Sequence, residues 1–214
     1  MESYTKLKII IFLFILILIF LILKLKDLLT PKEKRFLKAA EDGDFKKTKS
    51  IIDKEVNIKN LIETKDKENN TALILASKFG YIEVVKILIE NGANINAKNN
   101  DNSTALIEAS SFYYKTVKLL IENGSNVNDK DLQGDTALIY ASTFGNYETV
   151  KLLIKNGVEI NTQNKDGYTA LMEATISGNA EIVKLLIENG ADINIKNNDG
   201  KPLWILPKKT TIRI

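Results

Sequence analysis

Thr169-Ala-Leu-Met-Glu-Ala-Thr-Ile-Ser-Gly178-Asn-Ala-Glu-Ile-Val-Lys-Leu-Leu-Ile-Glu188-Asn-Gly190 carries two markers that recur along the chain. Thr-Ala-Leu stands at Thr71, Thr104, Thr136 and Thr169, at spacings of 33, 32 and 33 residues. Asn-Gly stands at Gly92, Gly124, Gly157 and Gly190, at spacings of 32, 33 and 33. Two independent markers that keep one period define an internal repeat, and a period of this length implies stacked modules. Within a module the apolar residues fall at helical spacing, as in Ala72, Leu73 and Ala76 and then Val84, Val85, Leu88 and Ile89. The unit reads as a short helix, a turn and a second helix.

Punctuation agrees with that reading. The 11 glycines lie at the ends of first helices, at the ends of second helices or in the hairpins between units; Gly178, Gly190 and Gly167 are one of each kind. The Thr of each Thr-Ala-Leu supplies an amino-terminal cap. Small residue pairs in the first helix (Ala76-Ser77, Ala109-Ser110, Ala141-Ser142) allow close stacking of neighbouring units.

The Asn164-Lys-Asp-Gly167 hairpin, Thr169-Ala-Leu-Met-Glu-Ala174 and Glu181-Ile-Val-Lys-Leu-Leu-Ile-Glu-Asn-Gly-Ala-Asp192 together resemble the ankyrin repeat. The resemblance covers about residues 34–206. It implies an all-α solenoid of helix-turn-helix units joined by hairpin loops, with a degenerate unit at 34–62 and full units at 66–98, 99–130, 131–163 and 164–196. A truncated unit follows at 197–206, in which Asp199-Gly-Lys-Pro-Leu-Trp204 opens a further first helix that Pro207 stops, and 207–214 is a tail. Three departures stand out. The family's Thr-Pro-Leu-His reads Thr-Ala-Leu followed by Ile74, Ile107, Ile139 or Met172, so the hydrogen bonds made by that His between hairpins must be absent or replaced. Four extra residues around 57–65 predict a looser junction. The 99–130 copy lacks the residue that would be its first-helix Gly, leaving Phe112-Tyr113-Tyr114-Lys115 and predicting weaker local packing.

Ahead of the repeats, behind a short tail (1–8), Ile9 to Leu23 is an unbroken run of fifteen apolar residues. Extended to 7–25, with Lys8 and Lys24 snorkelling, it reaches about 28 Å as a helix, close to the hydrocarbon thickness of a bilayer. Insertion of the fifteen is favoured by about 5–9 kcal/mol. The chain is therefore expected to carry one transmembrane helix before the solenoid, followed by a linker at 26–33. The other reading is a cleaved signal peptide. No small residues suited to cleavage follow Leu23 until Ala39, which favours an uncleaved anchor. Lys24, Lys26, Lys32, Lys34, Arg35 and Lys38 follow the run, against Lys6 and Lys8 before it, and by the positive-inside rule place the repeats in the cytoplasm. With the segment removed, they would be periplasmic or extracellular.

Composition narrows the function. With no Cys and no His, disulfides, thiolate or imidazole metal sites and Ser-His or Cys-His couples are all excluded. Net charge is +3, but residues 36–214 hold 23 Lys/Arg against 24 Asp/Glu, and Arg35 and Arg213 are the only arginines among the 30 cations of the whole chain, so nucleic-acid binding is not expected. Asp129-Lys-Asp131-Leu-Gln-Gly134-Asp135 departs from a calcium loop at Gln133 and Tyr140. Glu108 and Glu173 stand two units apart, too far for a catalytic pair. No enzyme activity and no cofactor are expected.

The resemblance implies protein binding through hairpin tips and the concave face of the first helices. Its variable positions fall here on Asn70, Ser103, Asp135 and Tyr168, and on Lys78, Phe79, Ser111, Phe112, Thr143, Phe144, Ile176 and Ser177. Phe79, Phe112 and Phe144 occupy equivalent places. They either protrude as an apolar anchor row or fold back between the helices of their own units. The expected role is a membrane-tethered scaffold for an unidentified protein, with the bilayer held by residues 7–25; the alternative is an exported or secreted binding protein.

Overall fold

The computed structural model describes residues 31–202. The chain divides into two units, residues 1–35 and 36–214. The expected transmembrane segment, 7–25, and the last helix expected after Asp199 lie outside the described residues. Among the described residues no helix is long and apolar enough to cross a membrane.

Eleven helices are described: α1 (Pro31–Glu41), α2 (Phe45–Ile52), α3 (Ile58–Ile62), α4 (Ala72–Lys78), α5 (Ile82–Glu90), α6 (Ala105–Ser110), α7 (Tyr114–Glu122), α8 (Ala137–Thr143), α9 (Tyr147–Lys155), α10 (Ala170–Ser177) and α11 (Ala180–Glu188). Helix α1 starts three residues before the expected boundary at 34, because Pro31 at the first helical position has its φ preset and needs no intrahelical donor. The linker expected at 26–33 therefore gives way to helix at Pro31.

Each Thr-Ala-Leu opens a helix as its cap predicts. The Oγ1 atoms of Thr71, Thr104, Thr136 and Thr169 accept the backbone N–H three residues on, each at 3.3 Å. The inner helices α4, α6, α8 and α10 stack in one row, and α5, α7, α9 and α11 stack beside them. Between the rows lies the core. Leu73, Leu106, Leu138 and Leu171 are each 1% exposed, and Leu88, Leu120, Leu153 and Leu186 are fully buried. Ordering one 33-residue unit costs about 1–2 kcal/mol per residue in backbone entropy, more than its own burial of apolar surface offsets, so stability comes from stacking.

The hairpins are joined by an inter-repeat ladder of hydrogen bonds. Backbone N–H groups of Asn100, Leu132, Lys165 and Asn198 donate to the carbonyls of Glu68, Asp101, Gln133 and Asp166, at 2.7–3.1 Å. Asn99 Nδ2 donates to Asn70 Oδ1 at 2.9 Å, and Asn164 Nδ2 to Asp135 Oδ1 at 2.8 Å, one repeat away. In the first two full units the left-handed hairpin position, Gly in later copies, is held by Asn69 (φ 60°) and Asn102 (φ 56°). Asn is the side chain that tolerates this region best.

Two expectations are corrected. The insertion near 57–65 does not loosen the junction; Ile58, Leu61 and Ile62 sit at helical spacing and form α3, burying Leu61 to 3% and Ile62 to 1% exposure. The deletion in the 99–130 copy is absorbed in its turn. Tyr81, Asn146 and Asn179 donate their N–H to a carbonyl five residues back, whereas Tyr113 donates to Ala109 four residues back. Helix α6 ends a residue early, yet Leu106, Ala109, Val117 and Leu120 are as buried as their counterparts.

Candidate functional site

Residues four apart on a helix share a face. On the inner row Leu75, Glu108, Tyr140 and Glu173 stand in α4, α6, α8 and α10, and Phe79, Phe112, Phe144 and Ser177 follow four residues on, at or just past the helix ends. The three phenylalanines protrude, with exposures of 41%, 65% and 51%. Phe112 and Phe144 come from adjacent units, and their ring centroids lie 5.0 Å apart at 60°. Phe79 lies 5.9 Å from Tyr81, and Phe112 lies 6.2 Å edge-on from Tyr113. Such tilted and edge-on pairs suit the ring quadrupoles. The rings stay out because their position follows the last turn of a short helix, where the space between inner and outer rows is already filled by residues such as Ala109 and Val117.

Beside this aromatic edge lies a polar cluster. Tyr140 donates its hydroxyl to Asp131 Oδ2 at 2.8 Å, while Asp131 Oδ1 accepts the N–H groups of Gln133 and Asp135 at 2.8 and 2.9 Å. Every carboxylate oxygen of Asp131 is thus used in shaping the hairpin, and the loop has turn chemistry, not metal chemistry. Among the described residues no group of acidic or metal-ligating side chains could hold an ion. Burial raises the pKa of Asp135, against the lowering hydrogen bond from Asn164, and Asp131 and Asp166 push it up further. Burial also raises the Tyr140 hydroxyl, as do the bond to Asp131 and the charges of Asp131, Asp135 and Glu108.

A raised phenol pKa stabilises the fold fully below the ordinary value of 10.0 and progressively less as pH climbs through the folded value. Tyr140→Phe is expected to cost about 1–2 kcal/mol at neutral pH, toward the lower end for a hydrogen bond to a charged group because the pair is only half-buried. The gap between variant and parent should narrow above pH 10.0, as followed by urea midpoints across an alkaline series. A gap that stays constant would remove the Tyr140–Asp131 bond from the stability account.

The other expected contact positions divide. Lys78 is exposed; Asn70, Ser111, Asp135, Thr143, Tyr168, Ile176 and Ser177 are half-buried. Thr143 Oγ1 donates back to Ile139 O at 2.8 Å, and Asn70 is bonded to Asp66 and Asn99. Ser103 is corrected: it is 5% exposed, enclosed where Asn99 Oδ1 accepts its N–H, and presents no usable surface. Leu132, 41% exposed at a hairpin tip, and Tyr140 were not among the expected positions. The i,i+4 relation of Tyr140 to Phe144 was available in the residue order, but its bond to Asp131 requires the hairpin to fold back over the helix.

The family model of ankyrin repeats (3 copies) matches residues 36–131 and 113–197. The chain belongs to the ankyrin repeat family. It is similar to the acyl-CoA-binding domain-containing protein 6 homolog of Dictyostelium discoideum, at 44% identity over 53 residues. That match spans 25% of this chain and 17% of the relative's length. Ankyrin repeats bind other proteins, and an open inner-helix face rimmed by exposed rings fits that use.

Proposed function

We propose that this chain is a membrane-tethered scaffold that binds a partner protein on the inner-helix face, with Phe79, Phe112 and Phe144 as anchors. The observation that carries the binding reading is their exposure at equivalent places of three consecutive units. Large apolar side chains grouped on a surface are where binding energy concentrates. Asn70, Lys78, Ser111, Asp135, Thr143, Tyr168, Ile176 and Ser177 form the surrounding contact surface. The role is recognition, without a cofactor.

The tether reading rests on the fifteen apolar residues from Ile9 to Leu23 and on the cationic flank after them. Such a tether confines the binding face to a thin layer beside the bilayer and raises its effective concentration toward partners held there. The repeats then face the cytoplasm. Two measurements test the cellular part. The chain should stay with membranes through alkaline carbonate extraction with its amino-terminal segment intact by mass spectrometry, and protease added outside intact cells should leave 36–214 undigested. A mature amino-terminus beyond Leu23 would instead make this an exported binding protein.

The binding part is tested by photocrosslinking in intact membranes. The combined Phe79→Ser, Phe112→Ser and Phe144→Ser variant should keep the parent's helical signal and a cooperative unfolding transition, at a midpoint lowered by the partial burial the three rings lose, and should lose its crosslinked partner. Retention of every crosslink by a folded triple variant would sink the anchor row.

A further inference from the structure

We propose that the centre of this face, between the Phe112–Phe144 ring pair and Glu108, binds an extended segment of a partner protein in which a large apolar residue and a Lys or Arg stand two positions apart. The proposal rests on the reading of the inner-helix face as the binding face, and adds what that face selects.

Spacing is the first argument. Tyr140 precedes Phe144 by one helical turn, closed by the bond from Phe144 N–H to Tyr140 O at 3.1 Å, which sets their Cβ atoms about 5–6 Å apart; Glu108 and Phe112 hold the equivalent places of the preceding unit, Phe112 standing just past the end of α6. In an extended segment, residues i and i+2 point the same way and lie about 6.5–7 Å apart. An apolar side chain seated on the Phe112–Phe144 pair, whose centroids are 5.0 Å apart, therefore puts the side chain two residues away over Glu108 and Tyr140.

Charge is the second. Helices α6, α8 and α10 carry Glu108 and Glu173 and not one Lys or Arg. Next to Tyr140, the hairpin adds Asp131, which accepts the tyrosine hydroxyl at 2.8 Å, and Asp135. After burial, the Tyr140 pKa is pushed up by Asp131, Asp135 and Glu108, and that of Asp135 by Asp131 and Asp166, consistent with a locally negative field. A cation placed here is attracted by Glu108 and by the Tyr140 ring face. Helix α4 differs: Lys78 adjoins Phe79 there, and Leu75 stands where Glu108 stands in α6. The cation's place is thus at α6–α8, where Phe112 is also the most exposed ring of the three.

The test screens the full chain, held in detergent micelles, against a phage-displayed library of random ten-residue peptides. Enriched peptides should carry Lys or Arg two positions from Phe, Trp, Leu or Ile, on either side. Glu108→Gln, which keeps the shape of the side chain, should weaken a selected peptide on the order of tenfold, the scale of one partly desolvated charge pair. Lys or Arg→Gln in the peptide should cost as much, and the two changes together little more than either alone. Enrichment of apolar peptides without a cation, or binding indifferent to Glu108→Gln, overturns the charge selection and leaves the aromatic anchor row standing. Peptides that bind the Phe112→Ser, Phe144→Ser chain as tightly as the parent, or no enrichment above that chain, overturn the site itself.

Discussion

Leu106→Ala is expected to destabilise the repeat array by about 3–4 kcal/mol, within the range for truncating a buried Leu. Leu106 is 1% exposed in α6, which packs against α4 on one side, α8 on the other and α7 behind. The cost stays above the bottom of the range because neither flank can close on the cavity: α4 and α8 are held at their spacing by the hairpin ladder, through the bonds of Asn100 to Glu68 and Leu132 to Asp101. A stack in which each unit touches only its neighbours has a second consequence. Weakening a central unit separates the units before it from those after it. Amide exchange should show α6 and α7 opening first, while α4–α5 and α8–α11 keep much of their protection, and the urea transition should broaden or split. A single sharp transition that moves as a whole by less than 1 kcal/mol would contradict both the cavity argument and the nearest-neighbour one.

Gly80→Ala should cost about 2–5 kcal/mol, although it adds a single methyl group, because two penalties combine. Gly80 has φ +70°, a left-handed conformation that costs a residue with a Cβ about 1–2 kcal/mol. In addition, a Cβ there would lie 2.2–2.7 Å from the Tyr113 ring, which belongs to the next unit, and relieving such overpacking adds about 1–3 kcal/mol. Gly92→Ala separates the two: its φ is +83°, but its Cβ would meet nothing within 4 Å, so only the backbone penalty applies. Combining Gly80→Ala with Tyr113→Ala should recover the steric part, and a double-mutant cycle reads the difference. Equal losses at Gly80 and Gly92 would show that Tyr113 moves aside freely.

The contact of Gly80 with Tyr113 illustrates a pattern that reading single units does not reveal. Gly43 is covered by Tyr81, Gly80 by Tyr113 and Gly145 by Asn179, always from the following unit. Asn179 Nδ2 also donates to Ser142 O at 2.7 Å, and Asn146 Nδ2 to Ser110 O at 3.3 Å. The residue that opens each second helix thus closes the preceding unit's turn. Where the 99–130 copy lacks its Gly, Asn146 still finds a carbonyl, which is why the deletion leaves the core closed.

Period, helix starts and helix ends were legible in the residue order, because each depends on chemistry within a few positions: a Thr hydroxyl reaching three residues on, a Gly turning left-handed, apolar residues on one side of a helix. The length of the insertion at 57–65 was legible too, but not that Ile58, Leu61 and Ile62 would fold into α3, since a five-residue helix exists only when a neighbouring surface receives its apolar side. The row formed by Phe79, Phe112 and Phe144 could be read from its spacing. Whether those rings turned inward or outward could not, because the answer depends on how tightly Ala109, Val117 and their counterparts fill the space between two rows of helices. The pairing of Tyr140 with Asp131, nine residues earlier, likewise waited on the hairpin folding back against its helix. Local chemistry set the modules; packing between helices and the folding of each hairpin over its own helix, fixed once neighbouring modules stack, set which side chains reach solvent and which carboxylates gather beside the rings.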